Sequence, residues 1–379
     1  MPSDPWRHVD ADEDLVADLL AGTVDAVLER GGWLHPEARI VARDGQLRLD
    51  CPAPDGEPLI RLPREAFIPI GRVQWGTGTE SLDIEGLHAE VDDLELLLLQ
   101  TALHNACGKL PWLAHAHPVL APDLDDAPIA AARSLRPSSR SVQPTAAELL
   151  WSTRAFRLPV DRPSPEPFAL PIVDCLNHHH RGATGTWSGG HFSVDIAHPD
   201  GSDECLLDYG LMRDAIGMAV VYGFAAEAPI AHSAPFTIEL EGIGRMTVDA
   251  RGRSAAGALL PVVVMGESAG VRVSHLPIGR HGGVAERIAQ TAGCSVEVAE
   301  HALEEIAAAN AVLADALEEA AGTTGGPAAG VLVEAARCQR RACAQIRAAG
   351  DPITASSVDA PQLGEDDIDA VAGPARVVI

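Results

Sequence analysis

A change of hydrophobic pattern near residue 283 constrains the fold of this chain more than any other feature. Before that point, short apolar runs alternate with turn residues, as is typical of short strands. After it, residues 283–347 are rich in Ala and place Leu303, Ile306, Leu313 and Leu317 at helical spacing. The sequence therefore predicts a part rich in strands followed by a helical part.

The boundary between these two parts is predicted near Pro277, which gives a helical C-terminal domain over residues 277–350. Glycines in residues 322–330 should break this domain into two helices. Residues 351–379 are polar and acidic, so we expect a loose tail.

The first part of the chain opens on a predicted helix. In the N-terminal segment 1–30, apolar residues recur at helical spacing over residues 14–30, and Gly31-Gly32 supplies a stop. A meander of short strands follows over residues 38–70. Residues 87–113 return to a helical pattern and predict a single buried helix.

Short elements are predicted again after a polar surface segment at residues 122–147. A short helix is expected at residues 147–156. Leu170 to Val173 predict an apolar strand that runs into Asn177 and His178. A helical span at residues 214–221 precedes further strands at residues 236–240, 246–248 and 259–264.

The charge of the chain excludes one large class of partner. Its 379 residues contain 54 Asp and Glu against 28 Lys and Arg, a formal net charge of −26. Binding to nucleic acid requires clustered cations, and none are visible here. The strongest apolar run, residues 94–99, is far below the roughly 20 residues of a membrane span. We therefore expect a soluble, cytoplasmic protein that binds neither nucleic acid nor membrane.

Cysteine and lysine usage excludes further classes. Seven cysteines are scattered without a CxxC pair, so neither a disulfide framework nor a zinc cluster is predicted. Lys109 is the only lysine, and no glycine-rich phosphate motif precedes it. Chemistry that depends on a lysine Schiff base or a phosphate-loop lysine would rest on this one residue.

A run of histidines raises the question of a metal. His178, His179 and His180 directly follow Asn177. Adjacent residues on an extended chain point to opposite sides, so only His178 and His180 could share an ion, and no further ligand stands at a supporting spacing. The sequence predicts no metal site.

Separated polar motifs suggest one composite site. Both tyrosines of the chain, Tyr209 and Tyr222, precede a glycine, and Arg154 stands at a predicted helix end. In chain order the motifs are residues 153–156, Thr-Arg-Ala-Phe; residues 171–178, Pro-Ile-Val-Asp-Cys-Leu-Asn-His; residues 203–210, Asp-Glu-Cys-Leu-Leu-Asp-Tyr-Gly; and residues 222–224, Tyr-Gly-Phe.

In their order, these motifs resemble those of the SET-domain methyltransferases, in particular the branch typified by the RuBisCO large-subunit lysine methyltransferase. The segment Asp55 to Pro63 is similar to a strand pair of that family. The resemblance implies an α+β fold: a SET-like domain of several small, mostly antiparallel sheets over residues 31–276. It also implies a helical insert at about residues 81–156 and a helical C-terminal domain.

The resemblance also implies roles for the site residues. S-adenosylmethionine would be the cofactor, with its carboxylate paired to Arg154, whose planar fork matches a carboxylate. Asn177 and His178 would hold the cofactor by hydrogen bonds. Tyr222 would lie at the methyl-transfer channel as a catalytic residue, and Tyr209 would line the same channel.

One departure from the family pattern keeps two functions open. Where the family has a Gly-x-Gly motif that approaches the cofactor, this chain reads Asp44-Gly45-Gln46, with Gly45 as the one glycine. The first hypothesis is an enzyme, an N-methyltransferase acting on Lys or His of a protein or on a small amine. The alternative is a SET-like protein with lost or altered methyl transfer that serves as a binding module or uses the pocket otherwise.

Overall fold

The structure is a computed structural model. It describes residues 5–70, 94–120, 129, 145–158, 166–209, 213–228, 236–248, 263–265, 270–274, 283–348 and 375–376. All statements below concern these residues.

The helices are α1 Asp14–Glu29, α2 Leu94–Ala106, α3 Lys109–Ala116, α4 Ala146–Thr153, α5 Ala215–Tyr222, α6 Val284–Ala292, α7 Val296–Thr324 and α8 Gly326–Ala348. Three short 3-10 helices span Pro5–His8, Arg64–Ala66 and Val173–Cys175. The strands are β1 Val9–Ala11, β2 Trp33–Leu34, β3 Arg39–Arg43, β4 Gln46–Asp50, β5 Pro58–Pro63, β6 Ile68–Pro69, β7 Ala155–Leu158, β8 Glu166–Ala169, β9 Asn177–Ala183, β10 Thr186–Ser188, β11 His191–Asp195, β12 Leu206–Leu207, β13 Phe236–Leu240, β14 Gly244–Val248, β15 Val263–Met265, β16 Val271–Val273 and β17 Ala375–Arg376.

The first helix forms as its sequence predicts. One face of α1 buries Val16, Leu20, Val24 and Val27 against the main hydrophobic core. The helix ends before Gly31, whose φ of 84° belongs to the left-handed region that glycine adopts at no steric penalty.

Small sheets share the core with α1. β1, β3 and β4 form one sheet, in which β1 runs parallel to β3 and β3 antiparallel to β4. A five-stranded antiparallel sheet has the order β17-β10-β11-β5-β2, and a third sheet has the order β6-β8-β7. β9 and β12 form a parallel pair, and a four-stranded mixed sheet has the order β13-β14-β16-β15. The described residues thus confirm the predicted α+β fold of several small, mostly antiparallel sheets.

The single buried helix predicted over residues 87–113 is wrong in its described part. The chain forms two helices, α2 and α3, separated at Cys107 and Gly108. Gly108 has a φ of 71°, which a continuous helix does not allow. The break places Lys109 at the start of α3. The predicted surface segment at residues 122–147 lies mostly outside the described residues.

The apolar strand predicted from Leu170 is also wrong. After β8 ends at Ala169 the chain turns, and Ile172 has a φ of 69° before the 3-10 helix begins at Val173. These apolar residues are buried in the core, so burial alone produced the signal that resembled a strand. The strand β9 begins only at Asn177.

Three helices, where two were predicted, occupy the C-terminal segment. α6 ends at Ala292 and is capped by Gly293, while α7 runs through Gly322 and is separated from α8 by Gly325. α7 and α8 pack on α5, whose eight residues are all buried. α6 and α7 also cover β14 and β16. The boundary predicted near Pro277 lies outside the described residues, as does the tail except for β17.

In the part of the chain that the structure describes, no helix combines the length and the apolar character needed to cross a membrane.

Candidate functional site

Five of the six site residues predicted from the sequence line a single cavity of about 500 Å³. They are Gly45, Arg154, Asn177, Tyr209 and Tyr222, although up to 177 positions separate them along the chain. The sixth, His178, packs behind the cavity wall against Tyr209, with 5.1 Å between ring centroids. The structure therefore brings the separated motifs together.

Gly45 reaches the cavity from the hairpin between β3 and β4. Arg43 pairs with Gln46, so Asp44 and Gly45 form a two-residue turn with φ values of 53° and 72°. Positive φ at both central residues is what the tight hairpin turn favoured by Asp-Gly requires. A Cβ atom at Gly45 would meet nothing within 4 Å, so this side of the cavity has room beside the backbone.

Arg154 is positioned by the end of α4. This helix begins with a capping box between Thr145 and Glu148 and buries Trp151 completely. Arg154 caps its C-terminus, with its backbone N–H donated to the Trp151 carbonyl. The Nε of Arg154 is buried and has no hydrogen-bond partner among the described residues. A buried guanidinium N–H normally donates a hydrogen bond. Within the described part of the chain, Arg154 Nε therefore lacks an acceptor, which an anion or a carbonyl oxygen could supply.

Asn177 starts β9 and is held from two sides. Its Nδ2 donates to Glu204 Oε1 at 2.7 Å and to the Leu47 carbonyl at 3.3 Å. Glu204 lies in a short antiparallel bridge with Asp50, so the hairpin of Gly45 and the strand of Asn177 are tied together. These contacts fix the orientation of the amide at the cavity wall.

His178 supports Tyr209 from behind the cavity wall as an uncharged side chain. Its Nδ1 accepts a hydrogen bond from the Tyr209 backbone N–H at 3.1 Å, which a protonated ring could not do. Burial lowers the pKa of His178 to about 4, although a hydrogen bond with the Leu207 backbone opposes the shift. The imidazole is therefore neutral at physiological pH.

The two tyrosines meet inside the cavity. Their ring centroids lie 5.1 Å apart, and Tyr222 Oη donates to the Tyr209 carbonyl at 3.4 Å. Tyr209 Oη donates to the Leu176 carbonyl at 2.5 Å. Burial raises the pKa of both phenols; at Tyr222 the Arg213 guanidinium, 5.3 Å from the ring centroid, opposes that shift. Both hydroxyls are thus neutral donors at pH 7.

The structure requires a glycine directly after Tyr222, at position 223. Gly223 caps the C-terminus of α5 with a φ of 80°. A Cβ atom there would lie 2.7 Å from His117 Cδ2 and 3.3 Å from Trp112 Cζ3. Glycine is needed both for the backbone conformation and for the close packing of α5 on α3.

Sequence reasoning missed the contribution of the break between α2 and α3. Cys107, Gly108, Lys109, Trp112 and Leu113 line the cavity, as do Thr153 and Phe224. The available signal was Gly108, because a glycine inside a helical pattern marks a candidate helix end. Burial lowers the pKa of Lys109, and the neighbouring Arg154 guanidinium lowers it further.

The side chains of His179 and His180 do not point to opposite sides, as adjacent residues of a regular strand do. The rings of His179 and His180 stack with centroids 4.6 Å apart. No group of three or more His, Cys, Asp or Glu side chains in the described ranges is arranged to hold a metal ion.

Comparisons with known proteins give the following results. No family model matches the sequence, and no curated protein sequence matches it. The structure is similar to a solved structure of Rubisco LSMT bound to AdoMet, with 12% identity, a TM-score of 0.40, and coverage of 89% of this chain and 91% of that chain.

Two further solved structures are similar to this chain. The SET domain of LSMT bound to Lysine and AdoHcy matches at 12% identity and a TM-score of 0.37, over 87% of this chain and 90% of that chain. The same domain bound to MeLysine and AdoHcy matches at 13% identity and a TM-score of 0.37, over 89% and 91%. All three are structures of the family that the sequence motifs resemble.

Proposed function

We propose that this protein is a methyltransferase that uses S-adenosylmethionine and transfers the methyl group to a nitrogen atom. The acceptor is a Lys or His side chain of a protein or a small amine. The observation that carries this proposal is the meeting of Gly45, Arg154, Asn177, Tyr209 and Tyr222 around one cavity.

The residues of the cavity fit this cofactor. The carboxylate of the cofactor would supply the acceptor that Arg154 Nε lacks. The open space beside Gly45 leaves room for close approach to the hairpin backbone. Trp112, Tyr222 and Phe224 offer apolar and aromatic surface for a positively charged sulfonium group. The cofactor would supply a methyl group activated by that sulfonium.

The task of the protein in such a transfer is mainly alignment. Holding two reactants in line contributes several kcal/mol, up to roughly 7–11 in favourable cases. In this proposal Arg154 and Asn177 fix one reactant, and the Tyr209–Tyr222 pair shapes the channel for the other. Because burial keeps both phenols protonated, they orient the nucleophile by hydrogen bonding and do not serve as bases at neutral pH.

A second candidate function rests on the hairpin of Gly45. Asp44 occupies a left-handed conformation, with a φ of 53°, next to a single glycine. In the second candidate the protein keeps the pocket for binding and has lost or altered methyl transfer.

The cytoplasmic location expected from the sequence also remains a prediction.

Calorimetry followed by transfer assays separates these candidates. The wild-type protein is titrated with S-adenosylmethionine and S-adenosylhomocysteine up to ~1 mM, the weak end of ordinary ligand binding. We expect saturable binding that Arg154→Met weakens. Arg245→Met is the matched control, because it removes an exposed guanidinium that pairs with Glu239 outside the cavity lining.

The outcomes are distinct. No heat of binding at ~1 mM rules out both the methyltransferase and a pocket that retains the cofactor. If binding occurs, labelled S-adenosylmethionine is tested with arrays of Lys and His peptides and with panels of small amines. Label transfer supports the first candidate, and binding without any transfer supports the second.

A further inference from the structure

The only lysine of the chain lines the cavity beside Arg154. Lys109 is the first residue of α3, and the preceding Gly108, with a φ of 71°, turns the chain so that this helix begins at the cavity wall. Every other basic residue among the 28 Lys and Arg is arginine. The chain as a whole has a formal charge of −26. The cavity nevertheless contains two cationic side chains, Lys109 and Arg154.

Neither cation has a carboxylate partner among the described residues. Lys109 makes no ion pair there, and Arg154 Nε is buried without an acceptor. The charged or titratable groups that act most strongly on Lys109 are Arg154, Cys107, Cys175 and Glu204. Of these only Glu204 is a carboxylate, and its Oε1 accepts from Asn177 Nδ2 at 2.7 Å.

Two partly buried cations side by side destabilise each other. Burial and the Arg154 guanidinium both lower the pKa of Lys109. Without a ligand, the charged ammonium form of Lys109 is therefore disfavoured. An anion bound between Lys109 and Arg154 would stabilise the charged form of Lys109 and accept hydrogen bonds from both side chains. The arrangement is therefore suited to a negatively charged group of a ligand.

We propose that Lys109 and Arg154 together form a carboxylate-binding subsite, in which Lys109 is a second anchor for the amino-acid end of the cofactor. This inference rests on the proposed function and adds to it a binding residue from the helical insert. The planar guanidinium can hold two carboxylate oxygens in one plane, while the compact ammonium on its flexible stem approaches from another direction.

A protein with one lysine allows a direct spectroscopic test. Protein labelled with carbon-13 at the lysine Cε gives a single lysine signal in the NMR spectrum. The chemical shift of this signal is followed as a function of pH, without ligand and with bound ligand, to obtain the pKa of Lys109. With S-adenosylhomocysteine the pKa of Lys109 should rise, because the carboxylate stabilises the ammonium form. With 5′-methylthioadenosine, which lacks the amino-acid end, the pKa should stay near its value in the free protein.

Affinities supply the second readout. Lys109→Met should weaken binding of S-adenosylhomocysteine by about tenfold or more, as expected when a charge-assisted hydrogen bond is lost. Binding of 5′-methylthioadenosine should change by less than about twofold, because this ligand makes no such bond. Lys109→Arg is the matched control and should keep most of the affinity. Thermal unfolding of each variant verifies that it is folded.

Each alternative result has a separate meaning. If wild-type protein binds S-adenosylhomocysteine and Lys109→Met binds it equally well, the subsite is overturned while the proposed function stands. If wild-type protein does not bind the ligand at all, both are overturned. If Lys109 itself becomes methylated with S-adenosylmethionine, seen as a new N-methyl signal, its amine lies at the acceptor end and the subsite is overturned.

Discussion

His104 Nε2 lies 2.6 Å from Asp174 Oδ2, and both side chains are completely buried. This contact joins α2 to the 3-10 helix that ends two residues before Asn177. Burial lowers the pKa of His104 more than the hydrogen bond to Asp174 raises it, so the neutral ring donates to the carboxylate. The pair holds α2 against the segment that carries Asn177.

Removal of His104 should therefore strongly destabilise the protein. His104→Ala leaves the Asp174 carboxylate buried without its partner, and we expect a loss of about 3–5 kcal/mol in the free energy of unfolding. Asp174→Asn keeps a hydrogen-bonding group opposite His104 and should lose less. Urea unfolding at neutral pH measures both variants. Equal losses would contradict the assigned role of the buried carboxylate.

Tyr222→Phe should slow methyl transfer with little change in cofactor affinity. The variant keeps the ring among Tyr209 and Phe224 and removes only the hydroxyl that donates to the Tyr209 carbonyl. Turnover is expected to fall by about 10²-fold, the scale on which loss of alignment between two reactants slows a transfer. Single-turnover rates and calorimetry measure the two effects. Val221→Ala, a neighbouring buried change, serves as the control, and unchanged turnover in Tyr222→Phe would remove the hydroxyl from the reaction.

The neutral state of His178 predicts a pH dependence of stability. Its pKa is about 4 in the folded protein against an ordinary value of 6.5, so the unfolded chain binds the proton more readily. The corresponding stability is present above pH 6.5 and is lost as the pH falls towards about 4, to a total of about 3 kcal/mol.

His178→Asn should flatten this dependence, because an amide oxygen can accept the Tyr209 N–H without titrating. The free energy of unfolding at pH 7 and pH 5 is compared for wild type and variant. His179→Asn is the matched control, since His179 is less deeply buried and should contribute a smaller slope. An identical slope in wild type and His178→Asn would show that His178 is not the titrating group.

Gly182→Ala should destabilise the contact between β9 and β12. A Cβ atom at Gly182 would lie 2.6 Å from the Leu206 carbonyl oxygen and 2.8 Å from the Leu207 carbonyl carbon, and these backbone atoms cannot move aside independently. We expect a loss of at least about 2 kcal/mol, in the range for overpacking of a close contact.

Gly330→Ala provides the opposite control for this prediction. Gly330 lies in α8, and a Cβ atom there meets nothing within 4 Å. Because alanine has the higher helix propensity, this variant should gain about 0.5–1 kcal/mol. Thermal unfolding of the two variants should therefore shift in opposite directions. A stable Gly182→Ala protein would mean that the two strands pack less closely than described.

Local patterns in the sequence predicted much of the fold because they depend on near neighbours. The apolar spacing of α1 and the helix at residues 214–221 both appear where they were expected. Asp214 caps α5 by accepting from the Gly217 N–H, an interaction between residues three apart. Two of the errors fall at Gly108 and Leu170, where burial produced apolar runs that do not distinguish a helix, a strand or a turn.

The sequence by itself predicted which polar residues would meet, because Arg154, Asn177, Tyr209 and Tyr222 stand in short motifs of recognisable order, and all four line one cavity. Only the tertiary structure decided that Lys109 joins them and that His104 meets Asp174, 70 positions away along the chain. Spacing along a chain fixes which side chains share one element. Contacts between elements depend on how all of them pack together, and short motifs carry no record of that packing.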